Sequence, residues 1–391
     1  MQNMTYPLPY GRQWIDDDDI TAVIAALKGD WLTQGPLVES FEQKIAEYVG
    51  SEYAVAFNSG TSALHGAYYA AGVRTGDEVI TSPITFVATA NAGVYLGARP
   101  VFVDIDKKTW CIDTDKINEA ISNRTKVIAP VDFAGYPVDM TSIREIAQDH
   151  SCIVVEDAAH ALGAIRGDVK VGTEADMTMF SFHPVKHITT GEGGIVTTNN
   201  REFAAAMKRF RSHGITKDPE LLHKNEGQWY YEMQDLGYNY RITDIQCALG
   251  LSQLEKLERF VKRRNEIARM YDEAFRGNEK LVNPPKPPQN SRHAYHLYPV
   301  CFTGVDRKKI FMDLREIGIF CQVHYIPVHL QPYYRERFGY HDGDFPVAEN
   351  FYQSEISLPM FPAMSDEDVE RVIVGVQEMF EKRVYADLKL V

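Results

Sequence analysis

With 391 residues, at roughly 150 residues per domain, the chain has the length for two or three domains or for one large α/β domain with an appendage. Hydrophobic residues make up 45% and charged residues 24%, the balance of a chain that buries a core, neither disordered nor built for a membrane. Lys and Arg number 41 against 54 Asp and Glu, a formal net charge of −13; a broad basic face for nucleic acid is excluded, and any anionic ligand has to be met by a local pocket.

Five widely spaced cysteines (Cys111, Cys152, Cys247, Cys301, Cys321) without a Cys-x-x-Cys pair indicate reduced thiols and a cytoplasmic setting. The N-terminal stretch lacks a basic and an apolar signal region, so no secretion signal is expected. Ile84 to Val103 is apolar but interrupted by Asn91, Gly97, Arg99 and Pro100, so no membrane span is expected either. The triplets Asn3-Met4-Thr5 and Asn123-Arg124-Thr125 match glycosylation acceptors but carry no functional weight without a secretion signal.

In chain order, amphipathic helices are expected over Asp16–Lys28 and Val38–Tyr48, with Asp16 to Asp19 at the positive end of the first. Seven strands follow at 53–57, 78–82, 100–105, 126–133, 152–157, 177–182 and 194–199. Helical patterns lie between most of them, at Thr61–Gly72, Phe86–Leu96, Asp115–Ser122 and Thr141–His150. This alternation predicts a mainly parallel sheet covered on both faces, although the last two strands are too close for a crossover. From Thr243 to Phe275 one long, bent helix is expected, with Gly250 its weak point. The proline-rich joint 283–290 then introduces a smaller αβ part containing a strand around 296–302, a helix at Arg307–Ile317 and a strand at 320–326. The expected division is a large domain with the N-terminal segment (1–245) and the linking helix with a small C-terminal domain (246–391).

Four constellations fall at strand ends or in the turns after them, where open α/β sheets place ligands. Asn58-Ser59-Gly60-Thr61-Ser62 opens a helix with free N–H groups and hydroxyls; it reads equally as a phosphate cradle or as an ordinary N-cap. Glu156-Asp157-Ala158-Ala159-His160 ends an apolar strand, and Asp157 reads either as a helix cap or as a buried acid in need of a cation. If a helix starts there, His160 shares its face. Ser181-Phe182-His183-Pro184-Val185-Lys186, closed by Gly191-Glu192-Gly193-Gly194, confines a lysine in a turn where its amine pKa can fall, as a Schiff-base nucleophile requires. Leu236-Gly237-Tyr238-Asn239-Tyr240-Arg241 precedes the long helix. The histidine pairs 183/187, 293/296 and 324/329 lack metal-ligand spacing, and no metal site is expected.

Taken together and in this order, these motifs resemble the pyridoxal-phosphate-dependent sugar-nucleotide aminotransferases of the DegT/DnrJ/EryC/StrS type, nearly end to end. Within that family the resemblance is closest to the UDP-4-keto-sugar C4 aminotransferases of pseudaminic acid synthesis. It runs through PYGRQ (9–13), LTQG (32–35), PITFVATAN (83–91), SFHPVK (181–186), RSHG (211–214), WYYE (229–232) and HYIPVHLQP (324–332). The resemblance implies an aspartate-aminotransferase-like (fold type I) large domain with a seven-stranded sheet and a small C-terminal α/β domain. It also implies that Lys186 attaches the pyridoxal 5'-phosphate covalently, that Asp157 keeps the pyridine nitrogen protonated, and that His160 sits near the ring hydroxyl. Thr61, Ser62 and Ser181 match phosphate positions, Gly60 allows close backbone approach to the cofactor, Phe86 matches the aromatic stacked on the ring, and Asn239 matches a phosphate contact from the neighbouring subunit of a homodimer. Gln34, His183, His324 and Tyr325 lie in segments that contact the UDP-4-keto sugar, and L-glutamate is the expected amino donor. Dehydratase relatives replace the lysine with histidine, so Lys186 argues against that branch. A non-catalytic sensor on the same scaffold would have no need of Lys186, Asp157 and Phe86 together.

Overall fold

The computed structural model describes residues 6–387; the Asn3-Met4-Thr5 triplet lies outside the described residues. Strands β1 (Tyr53–Phe57), β2 (Glu78–Thr81), β3 (Arg99–Phe102), β4 (Thr125–Ala129), β5 (Ile153–Asp157), β6 (Met177–Ser181) and β7 (Gly194–Thr198) form one seven-stranded sheet in the order β1-β7-β6-β5-β4-β2-β3. All pairings are parallel except those of β7, which runs antiparallel to β1 and β6. The reason is the connection 182–193: a parallel return needs a crossover of a dozen or more residues, usually helical, and these residues form no helix and turn the chain straight back. That turn carries Lys186.

The strands are near-continuous apolar runs because both faces of the sheet are covered. Val55, Ala56 and Phe57 in β1, Val127 to Ala129 in β4 and Val154 and Val155 in β5 are essentially inaccessible to water. Helix α1 (Asp17–Lys28) starts as expected on its aspartates: Asp16 caps the N–H groups of Asp18 and Asp19, and Asp19 returns to the Asp16 N–H. Helix α2 (Pro36–Val49) buries Phe41 and Ile45 against the sheet side of the core, and helix α3 (Gly60–Ala70) follows β1 directly.

The helix expected from 243 to 275 is two helices, α4 (Asp244–Leu254) and α5 (Leu257–Ala274), broken at Glu255–Lys256 and not at Gly250. At the break Lys256, almost fully buried, lies 2.9 Å from the buried carboxylate of Asp19 and also pairs with Asp16. A buried ammonium has to meet carboxylates, and the break presents it to two of the four N-terminal aspartates. Gly250 serves a different purpose. A Cβ there would stand 2.7 Å from the Phe41 ring and 2.8 Å from Thr190 Cγ2, so glycine permits close contact of α4 with α2 and the 182–193 turn. Gly250→Ala is expected to destabilise the fold by about 1–3 kcal/mol through overpacking, read as a lower denaturant midpoint at unchanged slope.

The small domain is built on a three-stranded antiparallel sheet, Leu281–Val282, Tyr298–Phe302 and Glu355–Leu358, packed with α5 and the helices Arg307–Glu316 and Asp366–Asp387. Two segments pack across the boundary expected at 245/246. Leu8–Pro9 pairs in parallel with Ile319–Phe320, placing Leu8 in the small-domain core, while α4 packs against α1 and α2. The strand expected over 320–326 ends at Phe320. Beyond it the chain turns into the cleft between the sheet edge and the small domain, because the His324 N–H donates to Glu355 Oε2 (2.9 Å) and its ring meets Ser357 Oγ (2.9 Å).

Candidate active site

The C-terminal ends of the parallel strands open on a cavity of about 420 Å³, lined among others by Tyr10, Ser59, Gly60, Thr61, Phe86, Asp157, His160, Ser181, His183, Lys186, Glu192, His296, His324 and Tyr325. Each large-domain contributor arrives by the same route: an apolar strand stops, and the next polar residues turn outward at its end. At the end of β1, Ser59 caps α3 by accepting from the Ser62 N–H (3.1 Å). The first two helical N–H groups, those of Gly60 and Thr61, have no carbonyl to reach within the helix. They stand beside the Ser59, Thr61 and Ser181 oxygens at the positive end of the helix dipole. A Cβ on Gly60 would lie 3.3 Å from Ser181, so backbone and hydroxyl close on each other here.

Asp157 ends β5, 5% exposed. Its Oδ2 accepts from Thr89 Oγ1 at 2.6 Å and its Oδ1 from the Ala159 N–H at 3.1 Å. Burial raises its pKa above the ordinary carboxylate value against these two hydrogen bonds and the charge of Lys186. Such a carboxyl is stabilised as an anion by a cation set against it. No helix starts after Asp157, so the condition under which His160 would share a helical face with it is not met; the chain turns through Ala158–Ala161. His160 is nevertheless brought into the site. Its Nδ1 accepts from the Ala134 N–H (3.2 Å), which leaves its proton on Nε2 for Tyr325 Oη at 3.1 Å.

Lys186 is half-buried, with Nζ 3.4 Å from His296 Nε2. Loss of water pushes its pKa down to about 7; Asp157 opposes the shift and Arg264 adds to it. The free amine, the nucleophilic form, therefore gains as pH rises through about 7.

Ten of the thirteen residues singled out from the sequence line this one cavity: Gly60, Thr61, Phe86, Asp157, His160, Ser181, His183, Lys186, His324 and Tyr325. Three do not. Ser62 is buried, its hydroxyl engaged with the Ser59 N–H (3.1 Å) and with Asn58 Oδ1 (2.7 Å) as the inner half of the capping box. Asn239 is exposed and outside the cavity, on a segment joined to Asn58 through the Asn58 N–H to Tyr240 O bond (2.9 Å). Gln34 lies in a separate depression with Glu42, Arg211 and Arg241. The sequence reading missed Tyr10, Thr89, Glu192 and His296 as site residues. Tyr10 and His296 come from segments far from the sheet in sequence; for Thr89 the spacing to Phe86 along one helical turn was the available signal. Thr89→Val is expected to lower amino transfer about tenfold, the effect of one lost charge-assisted hydrogen bond, with Thr89→Ser restoring most of it; kcat/KM of the two variants checks this.

The pocket suits a flat, anionic, ring-nitrogen-bearing group. The α3 N-terminus and the Thr61 and Ser181 hydroxyls offer donors for a phosphate, Phe86 is 58% exposed and free to present its ring, and among the described residues no cation hydrogen-bonds to Asp157. Among the described residues no group of three or more His, Cys, Asp and Glu side chains is placed to hold a metal, and no helix is long and apolar enough to cross a membrane.

Comparison with known proteins agrees with this geometry. The chain belongs to the DegT/DnrJ/EryC1/StrS aminotransferase family, which matches residues 13–377. It is similar to the Bacillus subtilis spore coat polysaccharide biosynthesis protein SpsC (42% identical over 384 residues, 97% of this chain and 98% of the relative). It is also similar to the UDP-4-amino-4,6-dideoxy-N-acetyl-beta-L-altrosamine transaminase of Campylobacter jejuni (39% identical over 381 residues, 96% and 98%). Among solved structures, Helicobacter pylori PseC, an aminotransferase involved in the biosynthesis of pseudoaminic acid, superposes with a TM-score of 0.90 at 36% identity, covering 96% of this chain and 100% of that one. The protein is thus a pyridoxal-phosphate-dependent sugar aminotransferase with the fold type I architecture, taking a nucleotide sugar and an amino donor.

Proposed function

We propose that the protein moves the amino group of L-glutamate to C4 of UDP-2-acetamido-2,6-dideoxy-β-L-arabino-hexos-4-ulose, giving UDP-4-amino-4,6-dideoxy-N-acetyl-β-L-altrosamine. The observation that carries the chemistry is the meeting of Lys186, Asp157 and the α3 N-terminus in one cavity. What supports this sugar over others is the likeness to the Campylobacter jejuni transaminase and to PseC. Bound there, pyridoxal phosphate supplies the electron sink and the temporary amino carrier. Gly60, Thr61 and Ser181 hold its phosphate, Phe86 covers one ring face, Asp157 keeps the ring nitrogen protonated and His160 lies toward the ring hydroxyl. Lys186 is the attachment point; once displaced, its Nζ takes the proton from Cα of glutamate in one half-reaction and delivers a proton to C4 of the sugar in the other. His183, His324 and Tyr325 face the hexose or diphosphate from the cavity, and Gln34 is a further contact to it that its separate depression leaves outside this chain's own cavity.

A homodimer with shared sites is part of this proposal. Asn239 is exposed, and the preceding segment presents Trp229 and Leu236, 73% and 76% exposed, a concentration of apolar surface that soluble chains ordinarily cover. The five cysteines are all free, which fits a cytoplasmic enzyme. A second reading is favoured by the 42% identity to SpsC: another nucleotide-sugar 4-keto aminotransferase, differing in sugar stereochemistry or nucleotide. An amino-transfer assay over UDP- and dTDP-linked 4-keto sugars, with glutamate, glutamine and alanine as donors, tests both. Exclusive turnover of the L-arabino UDP sugar supports the first reading, and preference for any other 4-keto sugar replaces it with the second.

The dimer has its own test. Lys186→Ala and Asn239→Asp are each expected to be inactive as homodimers. In a mixed dimer one site carries both lesions and the other neither, so co-refolding at equal ratio is expected to give heterodimers as about half of all dimers and about one quarter of wild-type activity. No recovery, with heterodimers confirmed by mass spectrometry, removes Asn239 from the neighbour's site.

A further inference from the structure

Behind Lys186 lies a cluster that the proposed reaction does not use. Arg264, on α5, is 0% exposed. Its Nη1 donates to the carbonyls of Tyr295 and His296 (both 3.1 Å) and of Met360 (2.9 Å), while Nε and Nη2 have no hydrogen-bond partner. No carboxylate among the described residues pairs with it. A buried guanidinium ordinarily meets an acid; this one is tied to main-chain oxygens and keeps its charge uncompensated. One of those oxygens belongs to His296, whose Nε2 is the atom 3.4 Å from Lys186 Nζ. The His296 ring lies 4.3 Å from that of His160 and 5.8 Å from that of His187 (centroids), and His187 Nε2 is fixed on Ala294 O at 3.1 Å.

The groups around Lys186 are few in charge. Asp157 is the buried acid at the floor of the cavity and Glu192 lies at its wall; Arg264 is the cation set near the lysine, while burial lowers the pKa of His160, His183, His187, His296 and His324 and keeps these imidazoles neutral beside the phenols of Tyr10 and Tyr325. An ammonium at Nζ has three protons to place, and among the described residues its one acceptor is His296 Nε2. A neutral amine, donating one N–H to His296, fits the same geometry at lower cost.

We propose that Arg264 is a positioning residue for Lys186: by clamping the 295 and 296 carbonyls it sets His296 Nε2 against the lysine as the acceptor of one N–H, and its unpaired charge adds to the loss of water in favouring the free amine. The inference rests on the reading of Lys186 as the reacting lysine. It is tested without the reaction, on cofactor-free protein, by the pH dependence of Lys186 acetylation with trace acetic anhydride, read by peptide mass spectrometry. The wild-type midpoint is expected near 7. Arg264→Gln, which removes the charge, is expected to raise it by about one pH unit or more, leaving roughly tenfold less free amine at neutral pH. A folded Arg264→Gln with the wild-type midpoint overturns the proposal.

Should Arg264→Gln fail to fold, Arg264→Lys keeps the cation in the same space but cannot hold three carbonyls. Its midpoint is expected to stay near that of the wild type. His296→Leu is expected to slow Lys186 acetylation at least threefold in the wild-type background and to have no further effect in the Arg264→Lys background, because the two act through one contact. Additive losses, or a midpoint that rises in Arg264→Lys, overturn the proposal. A shifted midpoint in protein that transfers no amino group would leave the positioning intact and remove the function assigned to the site.

Discussion

Lys186→Ala is expected to lose the visible absorption of the lysine-bound cofactor and to lower amino transfer by roughly four decades or more, while keeping the wild-type circular dichroism spectrum and thermal midpoint. The size follows from the two tasks assigned to one Nζ. Attachment by a nucleophilic amine and proton transfer by the same amine each contribute orders of magnitude, typically about 10²–10⁴-fold for the proton transfer alone. The fold is expected to survive because Lys186 sits in a turn and makes no ion pair among the described residues: its hydrogen-bond partner there is His296 Nε2 at 3.4 Å, and replacing a half-buried, desolvated amine by methyl breaks no salt bridge. Borohydride treatment of wild-type holoenzyme should fix the cofactor on the peptide containing Lys186. An unchanged spectrum in the variant, or trapping on another peptide, places the attachment elsewhere. The pH dependence has a definite sign. With the lysine pKa lowered to about 7, reattachment of the cofactor to Lys186 is expected to quicken as pH rises through that value and to level off above it, as the ammonium is used up.

Asp157→Asn is expected to retain cofactor yet slow both half-reactions by about three decades, several kcal/mol at about 1.4 kcal/mol per decade. An amide of the same shape keeps the Thr89 side chain and the Ala159 N–H as neighbours but carries no charge, so a protonated ring nitrogen loses its counter-ion in a site from which water is largely excluded, and the electron sink weakens. Stability should move little or rise slightly, because a buried carboxyl whose pKa is already raised by desolvation gives up an unfavourable solvation state when it becomes neutral. Stopped-flow measurement of the donor half-reaction checks the rate and chemical denaturation the stability. Near-wild-type turnover would reduce Asp157 to a residue that ends β5 and orders the turn to Ala159.

Why some of this was legible from the chain alone is a matter of range. The seven strands appear as short apolar runs because each is buried on both faces, and every expected run overlaps an observed strand, from Tyr53–Phe57 to Gly194–Thr198. The antiparallel placement of β7 was implied by the short turn before it. Lys186, Asp157, Ser181, Gly60 and Thr61 stand where strands stop, and a parallel sheet gathers its C-terminal ends on one edge, so their meeting in one cavity follows from topology. Local chemistry also announced the α1 cap. At Ser62 it left two readings, a phosphate cradle or an N-cap, and the structure shows the hydroxyl closing a capping box with Ser59.

By itself, the sequence determined what depends on neighbours a few residues apart: strand and helix identity, capping, the confined lysine turn and the acid at a strand end. Only the tertiary structure decided the rest. The break at Glu255–Lys256 comes from a lysine reaching Asp16 and Asp19 across more than 230 residues of chain. The strand at Leu8–Pro9 has its partner at Ile319–Phe320, and so carries Tyr10 into the cavity from the opposite end of the molecule. His296 and Arg264 have no motif that marks them. Their place beside Lys186 exists because α5 and the segment leading into the small domain pack behind the sheet edge, and burial of a charge against main-chain carbonyls leaves no periodic trace in the order of the residues.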